Sequence, residues 1–347
     1  MIVAFSTLHR KRHIATVACS IALFLGSSYS LSNDSGLDLE RADVQAFVKR
    51  ASQHEELSTT AIKRALSQVQ IKQPILKAIS RPVERTLDWK RYSKIFLQPE
   101  RIEAGAEFMR ERSTTMMVAE SRYGVPREII TAIIGVETKY GKVMGSHRVL
   151  DALATLAFEY PKRSKFFTKE LEHFLLLCAE QGIEPSAPLG SYAGAMGYGQ
   201  FMPSSYREYA VDFDADGKVD IWNNKTDAIG SVANYLARHG WRKGGVVVLA
   251  AERNNRPVTL AALNKNLKPS IRAGQLPSFG FKRPERLSNE AKVALFRFKS
   301  EQGPVYELGL QNFYAITRYN HSRLYARAVF ELSQRILAAS QEDTASP

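Results

Sequence analysis

Between residue 36 and about residue 105, apolar positions recur three and four apart. The stretches 43–53 and 58–70 show this best and are predicted helices, with Ser58 at an N-cap position. Pro74 and Pro82 interrupt that run. A longer helix is predicted over 99–123, stopped by Gly124, and Pro126 restarts the chain at a first helical position. Helical spacing then dominates to Gly240. Beyond Gly244 the pattern changes: 246–250 is rich in β-branched residues, and strand-length runs between Pro and Gly continue to about Leu310. Helical periodicity returns over 311–339, where Leu324, Ala328 and Leu332 fall four apart, and 341–347 reads as a polar, disordered tail. No internal repeat interrupts this order. The pattern predicts a mostly-α (α+β) protein: a flanking α domain over 31–104, a helical core over 105–243, a small β domain over 244–310 and returning helices over 311–340.

Residues 1–30 stand apart from that core. The basic group His9 to His13 precedes an apolar run of thirteen residues over 14–26, and Ser28 and Ser30 follow in small-x-small spacing. This is the layout of a secretory signal peptide, the alternative being a retained anchor. Spanning a bilayer takes roughly 20 apolar residues, and Thr16 and Ser20 interrupt this run. Cys19 does not suit a lipid acceptor, because the apolar run continues past it. Cleavage near Ser30 leaves Cys178 alone, so an intramolecular disulfide is excluded and Cys178, within 174–178, reads as a small buried residue. The chain is 44% hydrophobic and 24% charged, as globular proteins are. Its formal net charge of +13 becomes +10 once Arg10, Lys11 and Arg12 are removed. Such a charge attracts polyanions or simply aids solubility. For an exported chain, anionic wall polymer or an anionic membrane surface fits better than nucleic acid.

Three segments carry candidate chemistry. In 127–141, Ile130, Ile133, Ile134 and Glu137 lie at offsets of three, four and seven, so Glu137 shares an apolar helix face. Burial disfavours the charged carboxylate, which is what a general acid near neutral pH requires; a glutamic acid held against a hydrophobic wall works this way. The plainer alternative is an exposed or ion-paired Glu near a helix end. The segment 190–206 places four glycines within ten residues, with aromatic and amide side chains between them. That suits a sugar, where rings stack and amides bond hydroxyls; an ordinary turn is the alternative, and the spacing matches neither common phosphate-binding pattern. In 212–223, Asp212, Asp214 and Asp216 with Gly217 match the first half of a calcium-binding EF-hand loop. Its twelfth position should be Glu and is Asn223, leaving Asp227 as the replacement; a solvated acidic turn is the competing reading. A further segment, 312–320, taken alone is a helix of mixed polarity.

Together, 134–138, 150–156, 194–203, 227–235 and 312–320 closely resemble the membrane-bound lytic transglycosylase B family, and the likeness covers most of 40–338. The resemblance implies a lysozyme-like helical core with a flanking α domain and a small antiparallel β domain. It implies cleavage of the β-1,4 bond between N-acetylmuramic acid and N-acetylglucosamine in peptidoglycan glycan strands. The muramic acid C6 hydroxyl would attack its own anomeric carbon, leaving a 1,6-anhydro end. Glu137 falls on the family's single catalytic carboxylate, acting as acid and then base. Tyr92, Ser191, Gln200, Phe201, Tyr235, Tyr319 and Asn320 match positions lining the family's groove. Asp212, Asp214, Asp216, the Lys218 carbonyl and Asp227 match its structural calcium site, with one extra residue here before Asp227; no organic cofactor is implied. The expected location is the periplasm, with peripheral attachment to an anionic membrane surface as a further expectation. A hydrolytic muramidase and a catalytically silent wall-binding protein are the competing functions.

Overall fold

The computed structural model describes residues 35–80 and 87–345. The expected signal peptide over 1–30 lies outside them. The N-terminal part is helical: α1 (Ala42–Ala51), α2 (Thr59–Ser67), α3 (Gln73–Ile79) and α4 (Trp89–Phe96). Ser58 caps α2, accepting from the Ala61 amide at 3.1 Å, and Asp88 caps α4 in the same way through Arg91. Two-residue strands β1 (Ser35–Gly36) and β2 (Gln70–Ile71) pair antiparallel and tie the beginning of the described chain to the end of α2.

The expected long helix over 99–123 is two helices, α5 (Pro99–Glu111) and α6 (Ser113–Tyr123). The break falls at Arg112 (φ −111°, ψ 23°), and no proline or glycine marks it. Packing supplies the reason. α5 lies against α7 (Arg127–Thr138) and α13 (Arg323–Ala345), whereas α6 lies against α11 (Lys225–Arg238). One straight helix could not serve both sets of partners. α6 ends at Gly124 in the left-handed region (φ 69°) and Pro126 sits at the N-cap of α7, one position outside the expected one.

Beyond α7, strand β3 (His147–Arg148) leads into α8 (Val149–Glu159) and α9 (Ser164–Gln181). Strand β4 (Leu189–Gly190) pairs with β3, and α10 (Pro203–Tyr209) and α11 follow. The expected β domain is an antiparallel sheet in the order β5 (Val248–Ala250), β8 (Gly303–Gly309), β7 (Lys292–Ser300), β6 (Ile271–Arg272). The chain returns through α12 (Gln311–Tyr319) and α13. The tail expected to be disordered from Gln341 is helical as far as Ala345, continuing α13.

One large hydrophobic core runs from Leu37 to Ile336, joining the N-terminal helices, the central helices and the returning pair. The expected boundary at residue 104 falls inside α5, and this core crosses it. The β domain has its own smaller core, built from Leu249, Leu276, Phe281, Val293, Leu295 and Leu308 among others. Alternation along β7 explains the division. Val293 and Leu295 face the small core, while Ala294, Phe296 and Phe298 face the large one. The sheet therefore has the helices on one side and its own loops on the other.

Candidate active site

Glu137 lies in the last turn of α7. Ile130, Ile133 and Ile134 are fully buried, as the offsets require, and Glu137 emerges half-buried where that apolar face ends. Its Oε1 accepts from the Tyr325 hydroxyl at 2.6 Å. Tyr325 sits on α13 with no exposed surface, and α13 packs along α7. Burial pushes the Tyr325 hydroxyl well above its usual range, and the charge of Glu137 pushes it further. The phenol therefore stays a proton donor to the carboxylate at any physiological pH.

The end of α7 is fixed from three sides. The Thr138 hydroxyl lies 3.1 Å from the Ile134 carbonyl and 3.0 Å from that of Tyr198, reaching across to the glycine-rich segment. Lys139 and Tyr140 then take left-handed backbone angles (φ 50° and 60°), which turn Tyr140 back under the helix. There its hydroxyl donates to the Arg101 carbonyl at 2.7 Å. A Cβ on Gly135 would stand 2.5 Å from the Tyr140 hydroxyl oxygen, so only glycine leaves room for this ring. Arg101, itself buried, places its guanidinium over the Phe96 ring.

The glycine-rich segment passes alongside. Ser191 accepts from the Ala195 amide at 3.1 Å, and both Ser191 and Gln200 are half-buried. Gln200 adopts φ 50°, a costly angle for a residue with a side chain. Its amide nitrogen lies 3.1 Å from the Met144 carbonyl and 3.0 Å from that of Gly197, which compensates. The Tyr319 hydroxyl donates to the Gly199 carbonyl at 2.6 Å, an approach that a Cβ on Gly199 would block from 2.7 Å. Phe201, Tyr235 and Tyr319 form one aromatic group, with ring centroids 4.7 to 5.8 Å apart. The Tyr235 hydroxyl donates to the Arg318 carbonyl at 2.6 Å, and Tyr319 stacks on Tyr325 with ring planes 10° apart. This aromatic group thus connects to Glu137 through one ring.

The remaining groove candidates are more enclosed. Tyr92 is 1% exposed, packed against Trp89 and Phe96, and its hydroxyl lies close enough to Tyr325 to raise it electrostatically. Asn320, at the end of α12, is also 1% exposed. Sequence reasoning missed Tyr325, Thr138 and Tyr140. Tyr325 did carry a signal: it falls within the apolar repeat of Leu324, Ala328 and Leu332, and a buried phenol there needs a partner.

The acidic loop lies some way along the chain, before α11. Asp212, Asp214 and Asp227 each bring a carboxylate oxygen within 4.8 Å of the others. Asp212 accepts from the Asp216 and Gly217 amides, which turns the loop as an EF-hand loop turns. Asp227, fully buried, accepts from Phe213 and Asp220. Burial raises its carboxyl, those two amides lower it, and the charges of Asp214 and Asp212 raise it again. Three oxygen donors so placed fit a hard divalent cation. Asp216 lies outside this group, its Oδ1 accepting from the Lys218 amide at 2.8 Å.

Known proteins share this fold. A family model described as a transglycosylase SLT domain matches residues 40–334. The membrane-bound lytic murein transglycosylase B of Escherichia coli K12 is 46% identical over 251 residues, covering 72% of this chain and 68% of that protein. The soluble lytic transglycosylase SltB1 of Pseudomonas aeruginosa superposes with a TM-score of 0.81 at 46% identity, over 85% of this chain and 98% of that one. The Escherichia coli lytic transglycosylase Slt35 in complex with calcium gives 0.79 at 40% identity, over 89% of this chain and 97% of that one. With a family model spanning residues 40–334 and relatives of 40–46% identity along most of its length, the chain belongs to the transglycosylase SLT domain family.

Proposed function

We propose that Glu137 is the single catalytic carboxylate of this chain. The enzyme is a lytic murein transglycosylase that cleaves peptidoglycan. In the proposed reaction, Glu137 gives its proton to the glycosidic oxygen between N-acetylmuramic acid and N-acetylglucosamine. The muramoyl C6 hydroxyl then attacks the anomeric carbon of its own ring, and Glu137 takes that hydroxyl's proton. A 1,6-anhydro bond forms, the β-1,4 bond breaks, and no water is consumed. A nucleophile tethered to the same sugar needs neither a positioned water nor a second carboxylate. The observation that carries this reading is the 2.6 Å bond from a fully buried phenol to a half-buried carboxylate beside the aromatic group. Ser191 and Gln200 contact the glycan, Phe201, Tyr235 and Tyr319 form its wall, and Tyr92 and Asn320 support that wall from behind. The helices over 31–243 and 311–340 work as one unit around this groove, with 244–310 as a second. Glycan strands in the periplasm are the substrate, reached by export through residues 1–30. No described helix is long and apolar enough to cross a membrane.

Glu137→Gln keeps the shape and removes the acid. It should fold, retain binding to wall glycan, and lose about 10²–10⁴-fold in release of anhydro-muropeptides, read by mass spectrometry. Wild-type turnover in that variant would refute the assignment. Products heavier by one water in the wild type would refute transglycosylation.

The acidic loop is the proposed calcium site. Asp212, Asp214 and Asp227 supply its first oxygens, and Asp216 and the Lys218 carbonyl complete it. Three carboxylates so close repel one another without a cation, and the unfolded chain does not gather them. Calcium should therefore raise Tm, with about 2.7 kcal/mol gained at a hundredfold excess over Kd. Magnesium should do less, since it gives up water reluctantly. Asp214→Ala should abolish the response, while glycan cleavage well below Tm stays unchanged. If chelation stops cleavage in a folded protein, the metal belongs to the reaction and this reading fails.

A further inference from the structure

The charge of this chain is concentrated where the catalytic site is not. Between Glu252 and Glu285 the sequence holds seven cations (Arg253, Arg256, Lys265, Lys268, Arg272, Lys282 and Arg283) and no acid. All seven are exposed. They lie on strand β6 and in the loops around it; Val258, Ala262 and Leu263 of those loops pack on the small core, and Leu267, between Lys265 and Lys268, packs on the large one. Two of them are offset by exposed pairs: Arg272 with Glu290 at 3.2 Å, and Lys282 with Glu252 at 3.3 Å. Pairs as exposed as these hold little of the charge. Arg253, Arg256, Lys265 and Lys268 meet no carboxylate among the described residues.

An apolar side chain stands among them in the sequence. Leu260 is 65% exposed, more than any other large hydrophobic residue of the described chain, at the start of the short turn Leu260–Ala262. Arg256 precedes it by four residues and Lys265 follows by five. Cations alone would suit any polyanion. A solvated leucine in their midst gains nothing against a hydrated glycan polymer, but it gains burial at the boundary between headgroups and acyl chains.

We propose that this outer layer of the β domain docks the enzyme onto anionic phospholipid headgroups, with Leu260 entering the interface. Arg256, Lys265 and Lys268 supply the attraction, each basic residue strengthening binding about fivefold near an anionic surface. The inference is independent of the role of Glu137.

The test is co-sedimentation of the exported chain with phosphatidylglycerol-containing vesicles, against vesicles of phosphatidylcholine alone. Binding is expected only to the anionic vesicles, and is lost at high salt. The triple variant Arg256→Glu, Lys265→Glu, Lys268→Glu should bind at least about a hundredfold more weakly. Leu260→Asp should lose about tenfold. Both variants should melt as the wild type does and cleave soluble glycan fragments at the wild-type rate. Equal binding to both vesicles, or no loss in the triple variant, overturns the proposal. So does a triple variant that loses retention on purified wall sacculi yet keeps its vesicle binding, because the surface would then serve the wall polymer.

Discussion

On one side of α13 the Tyr325 hydroxyl donates to Glu137 at 2.6 Å; two residues along, the Arg327 guanidinium meets Glu307 at 2.9 Å. One helix thus holds two carboxylates, one from α7 and one from β8, and it holds them by different chemistry. Arg327 is 7% exposed, with its guanidinium 4.3 Å from the Trp89 ring and 4.4 Å from that of Phe298, and it also pairs with Glu331. A guanidinium never gives up its charge, so it favours the ionised form of its partner. A phenol has no charge to impose. It fixes where a carboxylate points and leaves the carboxylate free to gain or lose a proton. The Arg327 pair links the β domain to the helices, and the Tyr325 bond holds the carboxylate proposed as the catalytic acid.

The largest expected effect comes from breaking the Arg327 pair. Arg327→Met removes the cation and keeps much of the volume. Burial raises Glu307 to about 7, against the pull of Arg327 and with a further push from Glu331. At pH 8 the variant leaves Glu307 without its cation, and removing one partner of a buried pair costs about 3–5 kcal/mol. At pH 5 Glu307 takes up a proton and the cost should shrink to the lost packing. Thermal melts at the two pH values decide this, and equal destabilisation at both would show that Glu307 is not what Arg327 serves.

A somewhat smaller effect follows in the wild type itself. Because Glu307 holds its proton more tightly when folded than when unfolded, it favours the fold at low pH. That contribution is complete below the ordinary carboxyl range near 4.5 and is lost as pH rises through about 7, a swing of about 3 kcal/mol. In Glu307→Gln this fall should disappear. The measurement is the difference in unfolding free energy between wild type and variant from pH 5 to pH 8. A difference that stays flat would mean that Glu307 titrates at its ordinary value.

The two carboxylates were not equally legible in the sequence. Glu137 declared itself because helical spacing placed it on an isoleucine face, a local signal that survives into the structure. Glu307 gave no such sign. It lies in β8 opposite Phe296, and side chains directly opposite in an antiparallel pair share a face, so it is half-buried by a register that only folding establishes. Its partner and that of Glu137 both lie on α13, and Tyr325 is 188 residues from Glu137 along the chain. The glycine-rich segment was readable because glycine marks close approach wherever it occurs, though not that Gly199 makes room for Tyr319. The break at Arg112 was hidden for the opposite reason. Propensity there is helical throughout, and the competing demands of α11 and α13 are tertiary. The acidic loop was legible as a motif, with Asp227 as the replacement for the missing glutamate, but its spacing did not reveal that Asp216 faces the Lys218 amide.

The smallest expected effect sharpens the comparison most. Tyr325→Phe removes a single oxygen and keeps the ring that stacks on Tyr319. Glu137 is half-buried, so water from the groove can replace the lost donor and stability should change by less than about 1 kcal/mol. Catalysis should suffer more, because a carboxylate bonded to water has no fixed direction. A loss of about tenfold in kcat is expected, near 1.4 kcal/mol in the barrier. Tyr325 has no exposed surface and cannot touch the glycan, so KM should stay as it is. Truncating a residue of the groove wall, as in Tyr235→Ala, should raise KM instead. If Tyr325→Phe raised KM and left kcat alone, Tyr325 would belong to the binding wall. If it changed neither, the 2.6 Å bond would hold the two helices together without serving the reaction, and the contrast with Arg327 would vanish.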